Sequence, residues 1–450
     1  MSPIIVSKFG GSSMADHQAM ERSAALALSR NSNVVFVSAT YGTTNDLIAI
    51  TDQAQVGNWE KVEPILTKLN EKHKKIADDI GVSQDVRDYL KTLYREGTTL
   101  ARGMSMLKEC SLKANDSFIS LGERSSSALF SECVRKMAPE KKVVLFDIRQ
   151  VLKTDQNHGK AIPQIELIEK YAKELLVCDE NTIYITQGFI GEGPNKSTTT
   201  LGRGGSDYSA ALIAEALNAN SLEIWTDVPG MASTDPRLCP KAKAISNISF
   251  QEAAEMATFG AKILHPATLA PAMRKEIPVF VGSSYEPAKG GTWIEKSVDQ
   301  APLVRAVTMR KNQSLLTLSN PKMLNAYGFL GEIFQVFNRN QVSVDAITTS
   351  EISVAMTVDD NTALNSNLIE ELEQLGKVEI EKDLTLVALI GNNINHTPGL
   401  ANNIFSELVD INVRMICLGA SRHNFCFLVK EDQAEDALQR LHNKFLEVEQ

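Results

Sequence analysis

"IIVSKFGGSS", residues 4–13, decides how the chain is read. A short β-branched run ends in a lysine, and two glycines follow at once. Such a run reads as a strand that stops in a tight turn. Two glycines let backbone amides approach a phosphate closely, and the positive end of the next helix would add to them. The residue order excludes two familiar phosphate loops. Lys8 precedes Gly10 and Gly11, so the stretch is neither G-x-x-x-x-G-K-[ST] nor G-x-G-x-x-G. A lysine at the strand tip can instead stabilise a transferring phosphoryl group. Taken alone, the glycine pair is more often only a βα turn beside a solvated lysine.

Similar runs recur outward from this one: "NVVFVSA", "KKVVLFD", "NTIYITQGFIG", "SLEIWTDV" and "IPVFVGSS". Longer helical patterns separate them, such as "DHQAMERSAALALSR" and "SDYSAALIAEALNA". Continuous apolar runs alternating with helices predict an α/β fold with an open, mostly parallel sheet covered on both faces. In such sheets ligands bind beyond the carboxyl ends of the strands, where these runs turn polar. Pro, Gly and charge cluster in "EPAKGGTWIEKS", residues 286–297, which marks a domain boundary. Beyond it lies an internal repeat: "GFLGEIFQVFNRNQVSVDAITTS" from Gly328 aligns without gaps on "GLANNIFSELVDINVRMICLGAS" from Gly399. Two such α+β modules are expected to pack side by side, with room for a ligand between them.

Composition narrows the classes. The 450 residues are 43% hydrophobic and carry a net charge of −9, which argues against a general nucleic-acid surface. No stretch reaches the ~18 apolar residues of a membrane span. "PIIV" before Lys8 is too short for the apolar core of a signal peptide. The six cysteines form no C-x-x-C pair and read as reduced residues of a cytoplasmic protein. No His/Cys cluster has metal spacing, so no protein-held metal is expected.

Four further stretches bear on chemistry. In "TTTLGRGGSDYSAALIAEAL", residues 198–217, a glycine-rich loop enters a helix. Ser206 and Asp207 stand where an N-cap would, and capping alone would explain them. Capping does not explain Arg203, whose forked guanidinium suits a carboxylate. In "SFISLGERSSSALF", residues 117–130, Glu123 is either a favourable charge at a helix start or the acceptor of an ammonium group. Glu123 with Arg203 would match the two ends of an α-amino acid. In "WTDVPGMASTDPR" and "FGAKILHP", Thr226, Asp227, Arg237 and Lys262 follow a strand into turns.

These motifs together resemble the aspartokinases of the amino-acid kinase family, of the monofunctional, lysine-sensitive type. "KFGGSS", "GERSS", "TTTLGRGGSDYSAAL", "WTDVPG", "TDPR" and "EMATFGAKILHPAT" carry the resemblance, followed by "GFLGEIF" and "VSVDAITTSE". It implies an amino-acid kinase domain over residues 1–296 and two ACT modules, 303–383 with 431–450 and then 384–430. It implies transfer of phosphate from ATP to the β-carboxylate of L-aspartate, the first step toward lysine, threonine and methionine, with inhibition by L-lysine. Lys8 and Asp207 would be catalytic, with Asp207 orienting the lysine. Ser38, Thr44, Glu123, Arg203 and Ser206 would hold aspartate, Glu123 at the ammonium and Arg203 at the α-carboxylate. Lys8, Phe9, Gly10, Gly11, Thr226, Asp227, Ala232, Arg237, Lys262 and Ile263 would line the nucleotide site, and Mg2+ would be held mainly by the ATP phosphates. Met323, Ala326, Phe329, Leu330, Ser343, Val344, Asp345, Ser350 and Glu351 would form the lysine pocket. The ACT modules would make a homodimer, with a tetramer also open; no nucleic acid or membrane partner is implied.

The chain departs from the pattern of the family it resembles at two of these positions. Ala232 stands where relatives carry a tyrosine beside the nucleotide, which lowers the expected ATP affinity. Ala326 replaces a serine, so only a backbone contact with lysine would survive there. A carboxylate nucleophile, with a pKa near ~3.9, is already ionised at neutral pH and needs no base. The barrier is bringing two anions together, which explains why the cation comes first. A kinase of another amino acid remains open, although Glu123 argues against an acylated α-nitrogen. So does an inactive amino-acid sensor, although Lys8, Glu123, Arg203 and Asp207 argue against that.

Overall fold

The computed structural model describes residues 2–260, 264, 266–299, 301–324, 326–359 and 364–447. They form two compact units: Met1–Met231, Ala244–Phe250 and Ile263–Ser297 make one, and Ala232–Lys243, Gln251–Lys262 and Val298–Gln450 the other.

The first unit opens with β1 (Ile5–Phe9), α1 (His17–Ser29), β2 (Val34–Val37), α2 (Thr43–Ala54), α3 (Trp59–Ile80) and α4 (Gln84–Leu107). It continues through α5 (Leu112–Ile119), α6 (Leu121–Met137), β3 (Lys142–Phe146), α7 (Ile165–Leu175), β4 (Thr182–Gln187) and the hairpin β5 (Ile190–Glu192) and β6 (Thr198–Thr200). Then come α8 (Gly205–Leu217), β7 (Ser221–Thr226) and β8 (Asn247–Ser249). α9 (Phe250–Thr258) belongs, after its first residue, to the second unit, and the first unit closes with α10 (Pro266–Lys275), β9 (Val279–Ser283) and β10 (Gly291–Glu295).

Eight of these strands form one sheet in the order β3-β4-β2-β1-β7-β9-β10-β8, parallel except where β10 meets β9. β2 and β4 are buried at every residue, as expected for a sheet covered on both sides. Alternation sorts the side chains of β1. Phe9 enters the core with Val35, Val37, Ile183 and Ile185, against Met20 and Ala24 of α1 and Leu129 of α6. Lys8 therefore faces the opposite side, where α8 packs on β1, β2 and β7. The strand order reverses at β1, because β2 lies on one side of it and β7 on the other. That reversal opens a crevice at the carboxyl ends, the usual place for a ligand in such sheets.

The second unit contains β11 (Val304–Ser319), α11 (Phe329–Arg339), β12 (Ile347–Thr349), β13 (Ser353–Val358), α12 (Ser366–Glu373), β14 (Lys377–Gly391), α13 (Leu400–Phe405), β15 (Met415–Cys417), β16 (Asn424–Lys430) and α14 (Glu431–His442). Its sheet runs β12-β13-β11-β14-β16-β15, antiparallel throughout. The repeat is visible in the backbone: Gly328 and Gly399 precede α11 and α13 with φ of 81° and 77°, a region that favours glycine.

The two long strands serve both copies. Leu316 and Leu318 of β11 share a core with α11, β13 and α12, whereas Val304 and Val307 share one with α13, β16 and α14. Residues 431–442, grouped above with the first module, thus pack in the core of the second copy. Ala434, Ala437, Leu438 and Leu441 form an apolar stripe, and it is buried beside Leu400, Ile404 and Phe427. No described helix is long and apolar enough to cross a membrane.

Candidate active site

Lys8 is only 8% exposed, and its Nζ lies 2.5 Å from Oδ1 of Asp207. Asp207 stands in the first turn of α8, which starts after Gly204 at φ 72° with no side-chain cap. Neither Ser206 nor Asp207 caps the helix, and the Asp207 carboxylate is directed to the lysine instead. Burying a charged pair costs desolvation, which close contact offsets. The pair holds the ammonium at the end of β1.

The glycines do not lead straight into a helix. Gly10 N–H donates to Trp225 O (3.0 Å), which extends the β1–β7 pairing, and a short 3-10 turn, Ser12–Met14, follows Gly11. α1 begins only at His17, and the Asp16 carboxylate accepts from Ala19 N (2.8 Å). The Asp16 carboxylate thus takes one amide of the first turn of α1, and the 3-10 turn separates the two glycines from that helix. Gly11 still permits a close approach, since a Cβ there would sit 3.2 Å from Ala39 O.

Glu123 arrives from the other face of the sheet, in the first turn of α6. Gly122 makes the approach possible, because a Cβ there would lie 2.9 Å from Ala39 Cβ. Glu123 is 4% exposed; Oε1 accepts from Ala39 N (3.2 Å), and Oε2 is buried with no hydrogen-bond partner. Burial pushes its carboxyl up from the ordinary 4.5 to about 7, against the pull of the Ala39 and Glu123 amides and of Lys8. A buried carboxylate oxygen with nothing to accept from is an open position for a donor.

The remaining expected contacts surround this pair. Ser38 continues from β2, half-buried, with its N–H on Phe9 O (3.1 Å). Thr44 is exposed in the first turn of α2, after Gly42 at φ 78°. Arg203 is exposed on the loop between β6 and α8, without an ion-pair partner among the described residues. The Phe9 ring belongs to the core, 6.5 Å from Trp225. Thr226 ends β7; its Oγ1 donates to Asp227 Oδ1 (3.0 Å), and its carbonyl accepts from Ser284 N (2.8 Å). Ala232 and Arg237 lie in the second unit. There the exposed Arg237 is held by Asp235 through Nε (3.0 Å) and Nη2 (2.6 Å), and this bonding lowers the Asp235 pKa. Lys262 and Ile263 fall outside the described residues.

Two residues that the sequence did not single out shape the site. Gly188 follows β4, and a Cβ there would meet Ser206 Cβ at 2.6 Å. Only glycine lets the start of α8 sit this close to the sheet. Asp116 of α5 is fully buried and accepts from Thr200 Oγ1 (2.6 Å), Gly159 N (3.0 Å) and His158 Nδ1 (2.8 Å). It thereby anchors the end of β6, from which the Arg203 loop departs. Glycine after "YITQ" hinted at close packing, whereas nothing in "LKANDSFI" distinguishes a structural aspartate from a solvated one.

The residues expected to take lysine lie in the first copy of the repeat. Met323, Phe329 and Val344 pack on its core, and Leu330 is 41% exposed beside Phe329 at the start of α11. Ser343 and Asp345 are on the segment before β12. Ser350 and Glu351 form its turn to β13, where Ser350 N donates to Ser353 O (2.8 Å). Ala326 and Glu351 are exposed. Asp345 meets Arg310 Nη2 at 3.1 Å, and burial, opposed by that guanidinium, raises its pKa.

The fold and these strand-end charges define a phosphotransfer-type α/β domain joined to a paired regulatory-type sheet. The sequence matches the profile of the amino acid kinase family over residues 3–283 and that of an ACT domain over residues 387–445. Lysine-sensitive aspartokinase 3 of Escherichia coli (strain K12) is 46% identical over 457 residues, which cover 99% of this chain and all of the relative. The crystal structure of E. coli aspartokinase III in complex with aspartate and ADP (R-state) has a TM-score of 0.89 at 45% identity, covering 98% of this chain and 99% of that one. The complex with lysine and aspartate (T-state) gives 0.83 at 44%, with the same coverage. The chain belongs to the amino acid kinase family, and within it to the aspartokinases.

Proposed function

We propose that the chain phosphorylates the β-carboxylate of L-aspartate with MgATP, giving 4-phospho-L-aspartate and ADP, and is feedback-inhibited by L-lysine. The observation that carries this reading is the buried Glu123, with one unpartnered oxygen, beside the Lys8–Asp207 pair. The unpartnered Oε2 receives the α-ammonium group, and Arg203 receives the α-carboxylate. Ser38, Thr44 and Ser206 contribute polar contacts to the same substrate. Lys8, held by Asp207, stabilises the phosphoryl group as the two anions approach. The attacking carboxylate is already ionised, so no side chain has to remove a proton.

The Gly10–Gly11 turn and Thr226–Asp227 serve the nucleotide, together with Ala232, Arg237, Lys262 and Ile263, and Mg2+ enters on its phosphates. Lysine acts through the first copy of the repeat, where Asp345 and Glu351 offer acids that the second copy replaces with Ile416 and Arg422. The ACT modules pair two chains, and the enzyme works in the cytoplasm. Coupled ADP release with L-aspartate, L-glutamate and an N-acylated amino acid tests the reaction. Turnover with aspartate alone, reduced by added L-lysine, is the expected result. No ADP release with aspartate would overturn it.

A further inference from the structure

Three side chains of the second unit, outside the site above, converge although they are far apart in sequence: Cys239, His442 and Glu447. Cys239 is 6% exposed, His442 is fully buried, and the Glu447 side chain is 13% exposed. Cys239 Sγ lies 3.5 Å from His442 Nδ1 and 3.7 Å from Glu447 Oε1, and Nδ1 lies 3.0 Å from that oxygen. A zinc ion about 2.3 Å from sulfur and about 2.0–2.2 Å from nitrogen and oxygen, at tetrahedral angles, sets ligand-to-ligand edges of about 3.3–3.6 Å. The triangle of donor atoms is thus close in size to one face of a zinc tetrahedron.

The surroundings hold two of these ligands in place. His442 Nε2 is 2.9 Å from Ser233 Oγ, which also accepts from Lys243 N (2.8 Å). A proton on Nε2 donated to that hydroxyl leaves the Nδ1 lone pair directed at the cluster, the outer-shell bond that metal-bound histidines usually make. Glu447 Oε2 is held by Lys241 at 2.7 Å. Thiolate, imidazole and carboxylate together suit zinc rather than the oxygen-seeking Mg2+ or Ca2+.

We propose that Cys239 Sγ, His442 Nδ1 and Glu447 Oε1 bind one zinc ion, with water in the fourth position. Binding releases the Cys239 thiol proton and ties the 232–243 segment to the end of α14. Without metal, Nδ1–H and S–H can both donate to Oε1, so the cluster is also self-consistent when empty.

The full-length, untagged protein, freed of metal with a chelator, distinguishes the two. Titration with Zn2+ is expected to show one equivalent per chain, with a raised Tm. Cobalt(II) should add a thiolate charge-transfer band that Cys239→Ser abolishes. Glu447→Gln keeps the side-chain size but gives up the anionic ligand and the ion pair with Lys241, and should weaken zinc by at least about 10-fold. No stoichiometric uptake by the wild-type protein, or the same uptake and band in both variants, would overturn the site.

Discussion

Replacing Glu123 by glutamine separates the role of this residue in binding from its cost to the fold. The side chain is 4% exposed and its carboxyl titrates at about 7 instead of 4.5. That difference corresponds to about 3 kcal/mol between its two protonation states. An ammonium group bound at Oε2 needs the ionised form, so aspartate must compete with a proton. Below pH ~7, kcat/KM for aspartate should fall about tenfold per pH unit, and above it should level off. Glu123→Gln should flatten this pH dependence. It should also raise KM for aspartate by about 10- to 100-fold, the loss of a charge-assisted hydrogen bond worth about 1.5–3 kcal/mol. KM for ATP should stay near the wild-type value.

Folding should respond in the opposite direction. The folded pKa lies above the unfolded one, so folding takes up a proton between them. The stability Glu123 contributes is therefore full below pH ~4.5 and is lost as pH rises to ~7. At pH ~8 the glutamine variant should be the more stable, by up to about 3 kcal/mol, and the advantage should vanish near pH ~4.5. Urea unfolding across this range, alongside initial rates, measures both effects. A pH-independent kcat/KM in the wild-type enzyme, or a variant less stable at pH ~8, would refute the reasoning.

Lys8→Ala should lower kcat by about 10²- to 10³-fold and change KM for aspartate much less, because in the proposed reaction the lysine acts on charge that develops during transfer; steady-state kinetics gives the split. Gly188→Ala places a Cβ 2.6 Å from Ser206 Cβ and must displace the start of α8. It should cost about 1–3 kcal/mol in denaturant unfolding and reduce turnover. Asp345→Ala removes an acid that would meet the effector's ammonium, so the midpoint of lysine inhibition should rise about 10- to 100-fold in a lysine titration while uninhibited turnover is kept.

Legibility followed locality. The run ending in Lys8 was readable because a charge and two glycines interrupt an apolar strand, and each violates the surrounding pattern. Arg203 and Glu123 were readable as opposite charges at two helix starts, although only the fold shows Glu123 without a partner for Oε2. Three features were hidden because their causes are distant. α1 is capped by Asp16 and separated from Gly10 and Gly11 by a 3-10 turn that no periodicity announces. α6 is buried almost all round, yet its interior is rich in serine, which a hydrophobic count reads as surface; Ser127 hydrogen-bonds Gln187 of β4 instead. β11 and β14 each divide between two cores, so the strands alone do not assign α14, which the resemblance groups with the first module and which packs in the core of the second copy. A sequence therefore shows a charge and leaves its burial and its compensation to partners met only in the fold. Lys8 finds Asp207 and Asp116 finds three donors, but Glu123 Oε2 finds none. A buried carboxylate oxygen left in this way is a position that a bound ammonium group would complete, as the proposed reaction requires.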